Sequence, residues 1–249
     1  MILVLDCGNS RFKWGLAGPH GWVSQGNVAN QEIGTLALRD WQNLPRPERV
    51  VGVNVAGEAL RVRVEAQLVR WRLVPEWLIA HEEAAGVYNR YARPSQLGPD
   101  RWAALVAVRQ RVAEELFPPA CVVVNAGTAL TVDALDASGV FRGGIILPGL
   151  NMMLQALAAN TASLKVPPGH YHDFPINTAD ALYSGAMQGL CGAIEQMRSR
   201  LGGEEAPPRV ILSGGAAAEI ATHLTAPVEV VDNLVLEGVL ALAESSDKR

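Results

Sequence analysis

The 249-residue chain reads as an α/β protein built from two similar lobes. Three short apolar runs carry that reading, because each ends abruptly in a small polar turn. Ile2–Leu5 runs into Asp6-Cys7-Gly8-Asn9-Ser10, Val122–Val124 into Asn125-Ala126-Gly127-Thr128, and Val210–Leu212 into Ser213-Gly214-Gly215. Continuous apolar runs bounded by Gly and Asn are the mark of central strands buried on both faces. The first two also align as an internal repeat: with Gly8 on Gly127, Asp6 falls on Asn125 and Asn9 on Thr128. Strand-like residues follow each turn, Phe12-Lys13-Trp14 in one case and Leu130-Thr131-Val132-Asp133 in the other. Chance likeness of two strand-turn-strand units is the alternative. Helical patterns follow the strands in each half, and Phe117-Pro118-Pro119 marks a boundary between residues 1–117 and 118–249.

The helices follow from apolar spacing. Trp102, Leu105, Val106, Val112, Ala113 and Leu116 recur at three- and four-residue steps, which predicts an amphipathic helix opened by Gly98-Pro99-Asp100. Leu182–Leu201, Ala216–Leu224 and Val235–Ala243 read as further helices, the last followed by a frayed polar tail from Ser245. Loops are expected at Leu44–Arg49 and Gly202–Pro208. Gly143 to Leu164 is the longest uncharged stretch; Pro148, its glycines and its amides argue against a membrane span, so it reads as a glycine-rich turn feeding a buried helix.

Composition removes several function classes. Hydrophobic residues make up 49% and charged residues 18%, enough for a buried core, and a net charge of −4 without a basic block argues against a nucleic-acid partner. The six tryptophans are scattered, as in core packing. Cys7, Cys121 and Cys191 are too far apart for a disulfide scaffold or a structural zinc site, which fits a reducing cytoplasm. The amino terminus has no basic segment ahead of its apolar run, so no signal peptide is expected, and the chain reads as a cytoplasmic protein without a membrane partner.

The common nucleotide and hydrolase motifs, GxxxxGK[ST], GxGxxG, GxSxG and HExxH, do not occur. What does occur is Asp6-Cys7-Gly8-Asn9-Ser10 with Lys13. A carboxylate at a strand end suits hydrated Mg²⁺. Backbone N–H groups of Gly8, Asn9 and Ser10 can turn toward phosphate oxygens, and Lys13 adds a compact positive charge. A plain Gly-Asn hairpin is the bland alternative. Gly127-Thr128 is a second candidate turn, and Ser213-Gly214-Gly215 opens a helix whose N-terminus would suit an anion or a ribose. In Gly98-Pro99-Asp100-Arg101, Asp100 is either an ordinary helix-start residue or a general base, with Arg101 pairing an acidic group. His170-Tyr171-His172-Asp173 has metal-like composition but no nearby further ligands, and reads as a surface loop.

Taken together and in order, these motifs, with Thr131, Asp133 and Gly143-Gly144-Ile145-Ile146-Leu147-Pro148-Gly149, resemble the type III pantothenate kinases of the acetate kinase/sugar kinase/Hsp70/actin superfamily. The likeness runs from Met1 to about Gly238. It implies two ribonuclease-H-like (actin-like ATPase) lobes around a nucleotide cleft, ATP with Mg²⁺ as cofactors, and a homodimer with pantothenate near the subunit interface. It assigns Asp6, Cys7, Gly8, Asn9, Ser10 and Lys13 to the first phosphate loop, with Asp6 toward Mg²⁺. Gly127 and Thr128 fall in the second, and Ser213, Gly214 and Gly215 near the adenosine. Asp100 becomes the general base, and Tyr91, Gly98, Pro99, Arg101 and Thr178 join it around pantothenate, Thr178 reaching across from a partner subunit. The family's second phosphate motif usually begins with an aspartate that helps hold K⁺ or NH₄⁺. Asn125 stands there, so the monovalent cation binds more weakly, another group replaces the charge, or the dependence is lost. Two rival readings stand beside pantothenate phosphorylation: a non-catalytic regulatory protein that keeps the kinase fold, and a kinase for another hydroxy acid or sugar.

Overall fold

The computed structural model describes residues 1–160, 167–202 and 207–246. By internal contacts the chain divides into two compact units, Met1–Glu114 with the segment from Asn233 onward, and Glu115–Asp232.

In the first unit β1 (Ile2–Cys7), β2 (Arg11–Gly18) and β3 (Gly21–Ala29) form an antiparallel meander. After a 3₁₀ segment at Asn30–Leu38, β4 (Arg49–Asn54) pairs parallel to β1. Helix α1 (Glu58–Leu68) then leads to the short β5 (Glu76–Trp77), parallel to β4. The sheet order is β3-β2-β1-β4-β5. Alternation along the strands sorts its two faces. Leu3, Leu5, Cys7, Phe12, Trp14 and Leu16 enter a core with Leu60, Val64, Trp41 and Trp71, in which Trp41 meets the Trp14 ring edge-on at 6.1 Å. Asp6 and Lys13 lie on the opposite face. A short hairpin of β6 (Glu83–Ala84) and β7 (Val87–Asn89) precedes α2 (Pro99–Val112).

The second unit repeats the plan. β8 (Cys121–Ala126), β9 (Ala129–Leu135) and β10 (Val140–Pro148) form a meander. Helices α3 (Leu150–Asn160) and α4 (Thr178–Leu201) follow, then β11 (Arg209–Ser213) parallel to β8. The one-turn helix α5 (Ala217–Ala221) leads to β12 (Val228–Val230), parallel to β11. These five strands are ordered β12-β11-β8-β9-β10, so the likeness extends from one strand-turn-strand motif to the whole meander-plus-two-parallel-strands topology. Val122, Val124, Leu130, Val132, Val210 and Leu212 share a core with Met187, Leu190 and Ile194 of α4.

The last helix, α6 (Leu234–Ser246), returns to the first unit, a return that a division at residues 117 and 118 does not include. It packs on β1, β2 and β4 and most extensively against α2. Ion pairing of Arg111 with both carboxylate oxygens of Glu237, each at 2.8 Å, ties the two helices. This cover explains why α2 departs from an amphipathic stripe. Every residue from Arg101 to Val108 is buried, and the helix stops at Val112, leaving Leu116 86% exposed. Gly143-Gly144 is likewise not a turn: both residues lie inside β10, at a bulge between Phe141 and Gly143. Helix α3 beyond it is mostly exposed rather than buried, and residues 161–164 of that stretch lie outside the described residues, as do residues 203–206 of the Gly202–Pro208 loop. The helix expected over Ala216–Leu224 is confined to Ala217–Ala221, and α6 continues through Ser245 to Ser246.

The α2–α6 crossing depends on Gly238, where a methyl group would sit 1.8 Å from the Ala103 carbonyl oxygen. Gly238→Ala is expected to destabilise the protein by roughly 1–3 kcal/mol, the usual cost of overpacking, as measured by urea denaturation.

Candidate functional site

Local geometry in the first unit gathers several of the sequence-predicted residues. Asp6 is the penultimate residue of β1 and stands directly across from Lys13 of β2, so carboxylate and ammonium share a face. Asp6 is buried, and loss of water pushes its pKa from 3.8 up to about 7; Lys13 pulls it down, and the nearby charge of Asp100 pushes it further up. The fold thus brings β1 and the start of α2 close enough for the two carboxylates to sense each other.

Asp100 occupies the first turn of α2, after Gly98 and Pro99. Burial raises its pKa, against the opposing effects of the Arg101 and Asp100 backbone N–H groups and the Arg101 guanidinium. The Arg101 amide donates to Asp100 Oδ1 at 2.9 Å. Gly98 leaves room for this carboxylate: a methyl group on it would lie 2.7 Å from that same oxygen, so the Asp100 side chain would have to shift. Arg101 is itself buried and donates from its guanidinium to the Tyr91 hydroxyl at 3.1 Å, with its cationic carbon 5.8 Å from the Tyr91 ring centre. Tyr91, Gly98, Pro99, Asp100 and Arg101 therefore form one cluster, and its acid is electrostatically linked to Asp6.

The turn Gly8-Asn9-Ser10 joins β1 to β2. Cys7, the residue before it, points into the apolar core, where burial pushes its thiol up, so its side chain does not join the cluster. Asn30, at the start of the 3₁₀ segment, escaped the sequence reading. Its side-chain amide donates to the carbonyls of Gly8 and Asn9, each at 2.9 Å. No local motif announces this, because the partners are more than 20 residues apart in the chain.

In the second unit Asn125 takes the place of Asp6, again penultimate in a six-residue strand. Across from it stand Thr131 of β9 and Ser213 of β11. Asp133, two residues beyond Thr131 and 1% exposed, falls on the same face by alternation. Gly127 and Thr128 form a two-residue turn whose Thr128 carbonyl accepts from the Gly149 amide at 2.9 Å. Gly149 packs so closely that a methyl group there would lie 2.2 Å from the Gly127 carbonyl oxygen. Gly214, at φ +104°, fits against the Ala126 carbonyl, to which the Ala216 amide donates at 3.2 Å. The expected helix-terminus site at Ser213-Gly214-Gly215 is thus a tight backbone crossing ahead of a single helical turn.

Thr178 begins α4, whose N-cap Asn177 accepts from the Asp180 amide. Thr178 is exposed, and Phe174 and Ile176 beside it are 91% and 98% exposed. The His170–Asp173 segment is fastened to this helix start: the His170 amide donates to Asp180 Oδ1 at 2.8 Å, and His172 Nε2 lies 3.5 Å from Asp180 Oδ2. Among the described residues no group of three or more His, Cys, Asp or Glu side chains gathers as a metal cluster. His223, isolated in sequence, is in fact packed on Tyr171 with ring centres 4.1 Å apart and planes tilted by 41°.

A family model described as type III pantothenate kinase matches residues 2–200. This chain belongs to that family. A type III pantothenate kinase of Leptothrix cholodnii is 46% identical over 251 residues, which covers 97% of this chain and 96% of the relative. One from Nitrosospira multiformis is 45% identical and covers 100% of this chain and 93% of its own length. Among solved structures, one from Campylobacter jejuni described as a Baf family transcriptional activator superposes with a TM-score of 0.65 at 20% identity, covering 99% of this chain and 100% of that one. That likeness speaks for the fold alone. For a type III pantothenate kinase, the acidic pair Asp6 and Asp100 is the feature to test first.

Because the folded state holds a proton on Asp6 up to about pH 7 while the unfolded chain releases it near its ordinary value of 3.8, folding binds a proton between those limits. The contribution of Asp6 to stability is therefore full below about pH 4 and is lost as pH rises through about 7. In the ligand-free protein, Asp6→Asn is expected to flatten the fall in Tm between pH 5 and pH 8, as measured by calorimetry.

Proposed function

We propose that this chain transfers the γ-phosphoryl group of ATP to the primary hydroxyl of pantothenate, forming 4′-phosphopantothenate and ADP, the first step of coenzyme A synthesis. The observation that carries the reading is a pair of electrostatically linked carboxylates, buried Asp6 and half-buried Asp100, in a chain of this family. In this mechanism Asp100 accepts the proton of the pantothenate hydroxyl as its oxygen bonds to the γ-phosphorus and the bond to the ADP oxygen breaks. Its raised proton affinity suits it to that task, since a base works best with a pKa near the working pH. Arg101 and Tyr91 orient the acceptor, Arg101 through charge on its carboxylate.

The first phosphate turn, Gly8-Asn9-Ser10, takes ATP phosphates on its amides, with Lys13 adding positive charge. Cys7 takes part through its backbone only. Gly127 and Thr128 form the second phosphate turn, and Ser213, Gly214 and Gly215 serve the adenosine. Asp6 fits Mg²⁺ by its chemistry, a buried carboxylate oxygen whose ionisation a cation would favour. When bound, Mg²⁺ neutralises charge on the phosphate oxygens. A monovalent cation, K⁺ or NH₄⁺, fits the face of Asn125, Thr131 and Ser213, where Asp133 supplies the negative charge that Asn125 lacks. Phosphoryl transfer needs mainly positioning and electrostatic stabilisation, and these residues supply both.

We further propose a cytoplasmic homodimer. Exposed Phe174 and Ile176 beside Thr178 support an interface there, with Thr178 reaching the partner's substrate. No helix among the described residues is long and apolar enough to cross a membrane. The regulatory alternative is less well supported, since the curated relatives quoted above carry the kinase name and Asp6, Lys13, Asp100 and Arg101 are all in place.

A coupled assay of ADP release tests the reading, with pantothenate against a panel of other hydroxy acids and sugars, in Mg²⁺ with K⁺, NH₄⁺ or neither. Asp100→Asn is expected to keep ATP binding and lower turnover by roughly 10²–10⁴-fold; a loss of less than about threefold would remove Asp100 from the general-base role. Phe174→Asp combined with Ile176→Asp is expected to shift the protein from dimer to monomer in sedimentation.

A further inference from the structure

We propose that Asn30 is the positioning residue of the first phosphate turn, locking Gly8-Asn9-Ser10 into an anion-binding shape before nucleotide arrives. The inference rests on the assignment of that turn to ATP phosphates and adds the residue that gives it its form.

Three consecutive carbonyls of the turn are held by this one residue. Asn30 Nδ2 donates to Gly8 O and Asn9 O at 2.9 Å each, and the Asn30 backbone amide donates to Ser10 O at 3.3 Å. The reverse side-chain orientation is excluded on electrostatic grounds, since it would set Oδ1 against two carbonyl oxygens. In the orientation found, Oδ1 is buried and accepts no hydrogen bond from the protein, so the amide is oriented by its two donated bonds.

Peptide geometry converts this grip into a binding surface. In a planar trans peptide the N–H points opposite to the C=O of the residue before it. The one cis peptide among the described residues is Ala226–Pro227, so the peptides of the turn are trans. With the carbonyls of Gly8, Asn9 and Ser10 drawn toward Asn30, the N–H groups of Asn9, Ser10 and Arg11 are turned away from it. Successive amides turned to one side form a concavity for phosphate oxygens, and fixing them beforehand removes the ordering cost from binding. Gly8 permits the tight passage: a methyl group there would lie 3.1 Å from the Arg11 carbonyl oxygen.

The register of β2 and β3 delivers Asn30 to this place. Arg11 pairs with Ala29 at the end of the ladder, so the next residue arrives beside Ser10. Arg11 Nε donates to Asn27 Oδ1 at 2.7 Å, and the Glu32 carboxylate accepts from the Ala29 amide at 3.2 Å, fixing the approach on both sides. In the second unit the Gly149 backbone donates to the Thr128 carbonyl and packs on the Gly127 carbonyl. The Asn30 clamp lies at the turn next to Asp6 and Lys13.

The test compares wild type with Asn30→Ala and the similarly sized, uncharged Asn30→Leu, which fills the space without donating if the alanine variant does not fold. Calorimetry with the non-hydrolysable ATP analogue AMP-PNP in Mg²⁺, and separately with adenosine, separates phosphate binding from base and ribose binding. Losing two hydrogen bonds to the turn is expected to weaken AMP-PNP about ten-fold or more. Adenosine affinity and the KM for pantothenate are expected to stay within about two-fold, while the KM for ATP rises. AMP-PNP affinity within about two-fold of wild type, or equal loss of AMP-PNP and adenosine, would overturn the clamp while leaving a wild-type ATP-dependent turnover intact. Should wild type itself bind AMP-PNP no better than adenosine, the phosphate reading of the turn falls and the clamp with it.

Discussion

A carboxylate kept away from water on a central strand is the constraint around which the first unit is organised. Burying an ionisable acid is costly, and the cost appears as the rise in the Asp6 pKa to about 7. The sheet places Lys13 directly opposite as a partial remedy, while α2 brings a second acid, Asp100, near enough to oppose it. Two acids in such a setting resist carrying charge together. Its own burial gives Asp100 an affinity for protons that an exposed aspartate would lack. The covering helix matters equally, since α6 holds α2 against the sheet through the Gly238–Ala103 approach and the Arg111–Glu237 pair.

Duplication of the topology did not duplicate the chemistry. Equivalent positions in the two units hold Asp6 across from Lys13 and Asn125 across from Thr131. The first is a charged pair on a turn of three residues held by a side chain; the second sets an amide against hydroxyls, with buried Asp133 on the same face, on a turn of two residues with close glycine packing. One scaffold thus carries two kinds of turn at equivalent strand ends. The difference arises in a few side chains at strand ends, where substitution does not disturb the apolar face beneath. Cys7 illustrates the boundary: one step beyond Asp6 it belongs wholly to the core.

The strands and their polar ends were legible because burial on both faces forces a continuous apolar run, and an abrupt polar residue at its end is conspicuous. Asp6, Lys13 and Asp100 could therefore be picked out, as could the repeat. Less legible were features set by partners far away in the chain. The helix from Pro99 looked amphipathic because its cover by α6 could not be seen, and Gly143-Gly144 looked like a turn because a bulged strand uses the same residues. Asn30 resembled any loop asparagine until the β2–β3 register set it beside Ser10.

The amino-acid sequence by itself determined the strand cores, the two glycine turns and the family, because these depend on local polarity and on residues within a few positions of each other. Tertiary structure alone decided that two acids would lie within reach of each other's charge, that the last helix would return to the first unit, and that one asparagine would gather three carbonyls. Each of those depends on contacts between segments distant along the chain, where spatial proximity, rather than spacing in the sequence, sets the electrostatics and the shape.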